Sequence, residues 1–175
     1  MALTIRQATE ADLTDVLEVF NDAIIHTTAV YQDVPQTPDI RSTWYRDRVQ
    51  AGYPVIVAEW DNEFAGFASY GPFRNGAGYR YTAEHSVYIT SKHRGKGIGK
   101  ALIKALIEIA RQSGLHILIA GIDADTLPSI NMHLSLGFTE VAHFKQVGYK
   151  FDRWLDLKFF QLELTPPNPP QGRGL

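Results

Sequence analysis

Val87-Tyr88-Ile89-Thr90-Ser91-Lys92-His93-Arg94-Gly95-Lys96-Gly97-Ile98-Gly99-Lys100-Ala101-Leu102 reads as an apolar strand that runs into a basic, glycine-rich turn and then directly into a helix. Glycine has no Cβ, so the backbone N–H groups of such a turn can approach an anion closely. The helix N-terminus adds the positive end of its dipole, and Arg94 and Lys96 add full charges. An isolated glycine pair is more often a tight connection with solvated cations beside it. Here Gly95, Gly97 and Gly99 alternate beside two basic residues, which points to a cradle for a phosphate or an oxyanion. Two familiar phosphate loops fail on spacing. A Walker A loop needs Gly, four residues, then Gly-Lys-Ser/Thr, but Gly99-Lys100 is followed by Ala101 and its leading position is Arg94. A dinucleotide fingerprint needs Gly-x-Gly-x-x-Gly, and after Gly95 and Gly97 its last place holds Lys100. What fits is Arg-x-x-Gly-x-Gly, carried by Arg94, Gly97 and Gly99.

Outward from the turn, Ile98, Leu102, Ala105, Leu106 and Ile109 share one face of a helix expected over Ile98 to Ser113, with Gly114 just past its end. Upstream, Val55 to Trp60 and Phe64 to Tyr70 read as a hairpin across Asp61-Asn62-Glu63, with a further strand over about Tyr81 to Ile89. Gly71 to Gly78 between them is too rich in glycine for regular structure. At the start, Leu3 to Arg6 alternates like a strand. Thr9 then signals a helix that carries Leu13, Val16, Leu17, Phe20, Ala23 and Ile24 on one face and fades near His26. A loop over Thr27 to Pro38 precedes a second helix over Asp39 to Val49. Downstream come a buried strand over His116 to Ile122 and a short helix over Pro128 to Ser135. Strands over about Thr139 to Val147 and Arg153 to Leu164 follow, with Val147-Gly148-Tyr149 marking the break between them. This order predicts an α/β (α+β) domain over residues 1–164. Residues 165–175 hold four of the nine prolines and a single apolar side chain, so they are expected to be a disordered tail.

The 175 residues, 45% of them hydrophobic, suffice for one core that closes without staples. A net charge of -2 supplies no basic field for nucleic acid. Without cysteine there is no disulfide framework, thiolate metal site or cysteine nucleophile. His26, His93, His116 and His143 lack the paired spacing of ligands, so no metal is expected. Charged residues interrupt the apolar ones at the N-terminus, and no apolar run reaches membrane-spanning length. A cytoplasmic protein with no membrane partner is the expectation.

The Arg94 to Gly99 turn resembles the acetyl-coenzyme A signature of the Gcn5-related N-acetyltransferase (GNAT) superfamily, and Asp123 to Phe138 resembles that family's second coenzyme-binding helix. The family usually has Asn where this chain has Thr126, and often Tyr where it has His133. The resemblance implies a central mixed, mostly antiparallel twisted sheet of six to seven strands flanked by about four helices. It also implies acetyl-CoA held by Val87, Tyr88, Ile89, Arg94, Gly95, Lys96, Gly97, Ile98 and Gly99, with Thr126 and Ser129 from the second helix. A narrower resemblance, covering nearly the whole chain to Leu164, is to the phosphinothricin and methionine sulfoximine acetyltransferase group. It rests on Gly71-Pro72-Phe73-Arg74, Tyr81 to Tyr88, His133 with Gly137-Phe138, Val147 to Phe151, and Trp154-Leu155-Asp156. It implies transfer of acetyl to the α-amino group of a small glutamate- or methionine-like acceptor, and a homodimer joined through the last strands.

Aminolysis of a thioester needs a neutral amine, so a base must take a proton from the acceptor. Glu84 is the candidate, against the plainer alternative of a surface glutamate paired with Arg80 or His85. His133 is the expected general acid or second base, with a structural histidine as the equal alternative. The Arg74 guanidinium suits an acceptor carboxylate or phosphinate, aided by Asn75, Gly76 and Ala77, with Phe73 and Tyr81 as walls and Glu84 and His85 beside them. Tyr31 is a further candidate wall of that pocket, with a core position the stronger reading, and Trp44, Trp60 and Trp154 read as packing residues. A peptide N-terminus or a polyamine is the alternative acceptor, and a noncatalytic acyl-CoA sensor the alternative class.

Overall fold

The computed structural model describes residues 2–164; the expected tail at 165–175 lies outside them. Strand β1 (Leu3–Gln7) leads through a single 3-10 turn, Glu10–Asp12, into helix α1 (Leu13–His26). The helix therefore starts a turn later than the Thr9 signal indicates, although Thr9 and Asp12 cap reciprocally as their types demand. Arg6 binds both Asp12 oxygens at 2.8 Å and reaches Glu59, which holds the Asp12 carboxyl down at about 2. Helix α2 (Pro38–Gln50) follows, then the hairpin β2 (Val55–Trp60) and β3 (Glu63–Pro72). Asp61 and Asn62 turn that hairpin with φ of 51° and 68°, and Glu63 already belongs to the strand. Next come β4 (Thr82–Ile89), α3 (Ile98–Gln112), β5 (Ile117–Asp123), α4 (Leu127–Ser135), β6 (Thr139–Lys150) and β7 (Arg153–Glu163).

The strands form one seven-stranded sheet in the order β1-β2-β3-β4-β5-β7-β6, antiparallel throughout except for β4 and β5. It separates two cores. One packs Val16, Phe20 and Ile24 of α1 against Val55, Val57 and Phe67. The other packs Ile98, Leu102, Leu106 and Ala110 of α3, with Ile130 of α4, against Ile56, Leu118 and Phe160. Gly114 ends α3 with φ +75°, as its place past the helix predicts.

Two expectations need correction. Val147-Gly148-Tyr149 is no break: β6 runs on to Lys150, its register shifts between Phe144 and Gly148, and the chain reverses at Phe151-Asp152, both left-handed. Gly148 is there because a Cβ would collide with the Tyr31 ring. Trp154 is not core, being 62% exposed and in edge contact with Tyr149. Among the described residues no helix is long and apolar enough to cross a membrane.

Candidate active site

β4 pairs with β5 over only three positions, Thr82↔Ile117, Ala83↔Leu118 and Glu84↔Ile119. Beyond Glu84, β4 stays with β3 as far as Ile89 and β5 stays with β7 as far as Asp123, so the sheet opens along one seam. The resulting cleft of about 590 Å³ is floored by residues 84–89 and 120–123 and closed by Thr27 to Ala29, Arg94, Gly95, Gly99, Ser129 and Met132. Main-chain groups of Val87 to Ile89 that face away from β3 have no strand partner there. They are donors and acceptors on offer to an extended ligand.

At the mouth of α3 the turn behaves as its glycines require. Gly95 and Gly97 have φ of +77° and +79°, and Gly97 is the helix N-cap. The first amides of α3 have no intrahelical acceptor and carry the dipole's positive end. Arg94 spans the turn, donating from Nε to the Ile89 carbonyl at 3.4 Å and pairing with Asp22 of α1 at 3.1 Å. Lys96 departs from expectation, because its Nζ lies over the Trp60 ring at 5.4 Å and it does not line the cleft. Ile98 is core through its side chain, leaving only its amide for the cradle. Thr126, the N-cap of α4, lines the cleft with Ser129.

Glu84 sits where the strands part. Its carboxylate lies across Gly121 of β5, and a Cβ there would come within 3.0 Å of Oε1. It pairs with neither Arg80, which donates to the Ala77 carbonyl, nor His85, which points to the opposite face. Burial pushes its pKa up, and the nearby Arg48 and Arg74 guanidiniums oppose that rise. A raised carboxylate is a better proton acceptor than an exposed one.

His85 and His133 correct the expectations made for them. His133 is 2% exposed; its Nδ1–H donates to the Ser129 carbonyl at 2.7 Å and its Nε2 meets His85 Nε2 at 3.0 Å. The carbonyl can only accept, so His133 Nε2 is the bare nitrogen and His85 Nε2–H donates to it. Burial pushes both pKa values down, His85 further because His133 stands beside it. The two rings lie at the wall of the cleft with their Nε2 atoms turned to each other; the His133 Nδ1 proton is donated to the Ser129 carbonyl, His85 Nδ1 is buried without a partner, and the His85 side chain points away from the face that carries Glu84.

The loop of residues 73–81, expected to meet the acceptor, precedes Glu84 at the start of β4 and lies outside this cleft. Arg74 is exposed and lies over the Phe73 ring at 5.3 Å. Asn75, Gly76 and Ala77 are exposed, and Ala77–Tyr79 forms a 3-10 turn rather than fully irregular loop. Tyr81 is at the surface under Arg80. Phe73 begins a ladder of rings that runs through Phe159 at 6.3 Å to the half-exposed Phe144 at a further 5.8 Å.

An acyl-transferase site of this layout, a parted β4–β5 seam beside a glycine cradle, agrees with a match of residues 16–138 to the Acetyltransferase (GNAT) family. The chain belongs to the GNAT acetyltransferase family. It is 47% identical over 168 residues, 96% of this chain and 98% of the relative, to an L-methionine sulfoximine/L-methionine sulfone acetyltransferase of Salmonella typhimurium. Among solved structures it is similar to a Salmonella typhimurium acetyltransferase determined with its cofactor acetyl-CoA, at TM-score 0.94 and 45% identity, over 98% of this chain and 100% of that one. A phosphinothricin acetyltransferase from Sinorhizobium meliloti in complex with acetyl-CoA superposes at TM-score 0.93 and 34% identity, over 98% and 95% of the two chains.

Sequence reasoning missed several residues of this GNAT site. Lys150 is 3% exposed, and its Nζ donates to the carbonyls of Ile24, Thr27 and Val30, pinning the loop that closes the cleft. Tyr31 is no apolar core residue, since its hydroxyl donates to buried Asp123 at 3.2 Å and to the Asp156 carbonyl at 3.1 Å. Arg48 of α2 stands near Glu84 with Nη1 buried and unbonded. A buried Lys and a long-range tyrosine carry no local signal. A cation on the sheet-facing side of α2 is detectable only through the Arg41, Trp44 and Arg48 spacing, which places the three on one helix face. Among the described residues no group of three or more His, Cys, Asp or Glu side chains could hold a metal ion.

Proposed function

We propose that this GNAT enzyme transfers acetyl from acetyl-CoA to the α-amino group of a small amino-acid-like acceptor of the methionine sulfoximine, methionine sulfone and phosphinothricin type. The observation that carries the proposal is Glu84, a desolvated carboxylate at the point where β4 and β5 part and a coenzyme arm and an acceptor amine can meet. Bound in the cleft, acetyl-CoA supplies a thioester carbonyl open to an amine. The residues present fit it: an unpaired β4 edge for an amide-bearing arm, and a cradle in which a Cβ at Gly95 or Gly97 would meet nothing, leaving room for phosphate oxygens.

Glu84 takes one proton of the acceptor ammonium, directly or through one water, and passes it on to solvent; the freed nitrogen lone pair forms the new amide bond as the carbon–sulfur bond breaks, and the acylated nitrogen gives its second departing proton to solvent. Main-chain N–H groups of the β4 edge donate to the acyl oxygen as charge gathers on it. The leaving thiolate, of ordinary pKa ~8.5, takes its proton from solvent, so no buried histidine acid is required. Arg74 and the Phe73, Phe159 and Phe144 rings receive the acceptor's side chain. A homodimer joined through β6 and β7 is supported by the roughly half-exposed Val141, Phe144, Val147, Tyr149, Phe151 and Trp154. A cysteine-free chain suits the reducing cytoplasm in which we place it.

The test is thiol release from acetyl-CoA with methionine sulfoximine, methionine sulfone, phosphinothricin, ordinary amino acids, spermidine and a short peptide. Preferential turnover of the first three is expected. Turnover confined to peptide or polyamine would replace the acceptor class, and saturable coenzyme binding with no thiol release would favour a sensor.

A further inference from the structure

A buried, unbonded guanidinium nitrogen beside a catalytic carboxylate calls for a ligand. Gly71 of β3 is the register partner of Glu84, so any side chain at 71 would project on the same face as Glu84. That space holds Arg48 instead: a Cβ on Gly71 would overlap Nη1 and Cζ of its guanidinium. The group is held between Trp44, with Cζ 5.6 Å from the ring centre, and Tyr53, at 6.0 Å. It is thereby fixed over Gly71, on the face of the sheet that carries Glu84. Yet Nη1 is shielded from solvent and has no hydrogen-bond partner, and no ion pair joins Arg48 to Glu84 among the described residues. A buried cationic donor left unmade costs more than a neutral one, and it persists where an incoming anion completes it.

We propose that Arg48 reads the α-carboxylate of the acceptor while Glu84 receives the neighbouring α-ammonium. Arg48 and Glu84 then form a fixed pair of opposite charges that matches the zwitterion common to every α-amino acid. Arg74, exposed on its loop, is left for the variable end of the side chain, a neutral sulfone or sulfoximine in one acceptor and an anionic phosphinate in another. The constant part of the acceptor meets a packed helix and the variable part meets a loop. This assignment rests on the acceptor class proposed above.

The test compares methionine sulfone with its α-carboxamide, in which the carboxylate is made neutral, in wild type, Arg48→Met and Arg48→Lys. In wild type kcat/KM favours the acid. Arg48→Met is expected to lower kcat/KM for the acid by about 30- to 100-fold, chiefly through KM, and that for the carboxamide less than about threefold. Arg48→Lys, a cation without the planar fork, restores part of the preference for the acid. Equal losses on both acceptors would overturn the proposal, because they would make Arg48 a packing residue. Circular dichroism and acetyl-CoA affinity by calorimetry exclude loss of fold as the cause. Should wild type acetylate neither compound yet release thiol with spermidine or a peptide, the acceptor class falls and this role falls with it.

Discussion

Replacing Lys150 by Met keeps length and most of the apolar stem while removing the ammonium that three carbonyls share. Those carbonyls, of Ile24, Thr27 and Val30, belong to the end of α1 and the loop beyond it, where the helix has run out of its own donors. Hydrogen bonds to a charged group contribute about 1.5–3 kcal/mol each, and a cation at a helix C-terminus adds up to about 1–2 kcal/mol. Against this stands the cost of stripping water from the ammonium, several kcal/mol, which also pushes the lysine pKa down. The net loss for Lys150→Met is therefore about 3 kcal/mol, most of it from carbonyls left without partners. In a domain of this size that lowers Tm by about 6–12 °C. Thr27 to Ala29 wall the cleft, so acetyl-CoA affinity should fall as well. Thermal denaturation followed by circular dichroism, with calorimetric titration of acetyl-CoA, measures both. A Tm drop under about 2 °C would refute the reasoning, since the carbonyls would then be satisfied without the ammonium.

Glu84→Gln should retain acetyl-CoA affinity while lowering turnover at least about 100-fold, by stopped-flow or continuous thiol assay. Because burial raises the Glu84 pKa, the carboxyl keeps its proton to a higher pH than an exposed glutamate; kcat/KM should fall on acidification through a midpoint above that of an exposed glutamate, a limb absent from the Gln variant. Gly71→Ala should displace the Arg48 guanidinium rather than unfold the strand, because the colliding atoms are the far end of a flexible side chain. The expected cost is about 1 kcal/mol in chemical denaturation, with an acceptor KM increase like that of Arg48→Met; unchanged KM would show that the arginine's position does not matter. Asp12, held at about 2 by Arg6, contributes stability above its unfolded pKa that is lost as pH falls from about 4 to 2. Asp12→Asn should remove about 1–2 kcal/mol at neutral pH and flatten the acid side of the stability profile.

The periodic elements were legible because their faces are written locally. The stripe from Ile98 to Ile109 and the Val55 to Tyr70 hairpin need no distant partner to declare themselves. The misread positions are those whose residue type answers a distant contact. Gly148 looks like a turn but is small because Tyr31 passes over it, while the real reversal uses Phe151 and Asp152, of which the phenylalanine gives no turn signal. The cradle glycines and Glu84 could be placed from the strand-turn-helix pattern and the family resemblance together. Arg48 could not, because its meaning comes from Gly71, twenty-three residues on, and from the register that sets Gly71 opposite Glu84. His133 was readable as a helix residue, but that His85 uses up its second nitrogen is visible only in three dimensions.

The opened seam between β4 and β5 also bears on how such an enzyme changes over evolutionary time. Its floor offers peptide groups, and peptide groups are not encoded by any particular codon. Point mutations along Val87 to Ile89 alter what faces the two cores while the donors and acceptors of the edge persist, so long as the strand stays paired with β3. The acceptor end as proposed above rests instead on individual side chains on α2, on the loop of residues 73–81 and on β7, each one substitution away from something else. Inheritance is therefore conservative at the donor end and permissive at the acceptor end, and new acceptor preferences can arise without the acyl donor site having to be rebuilt.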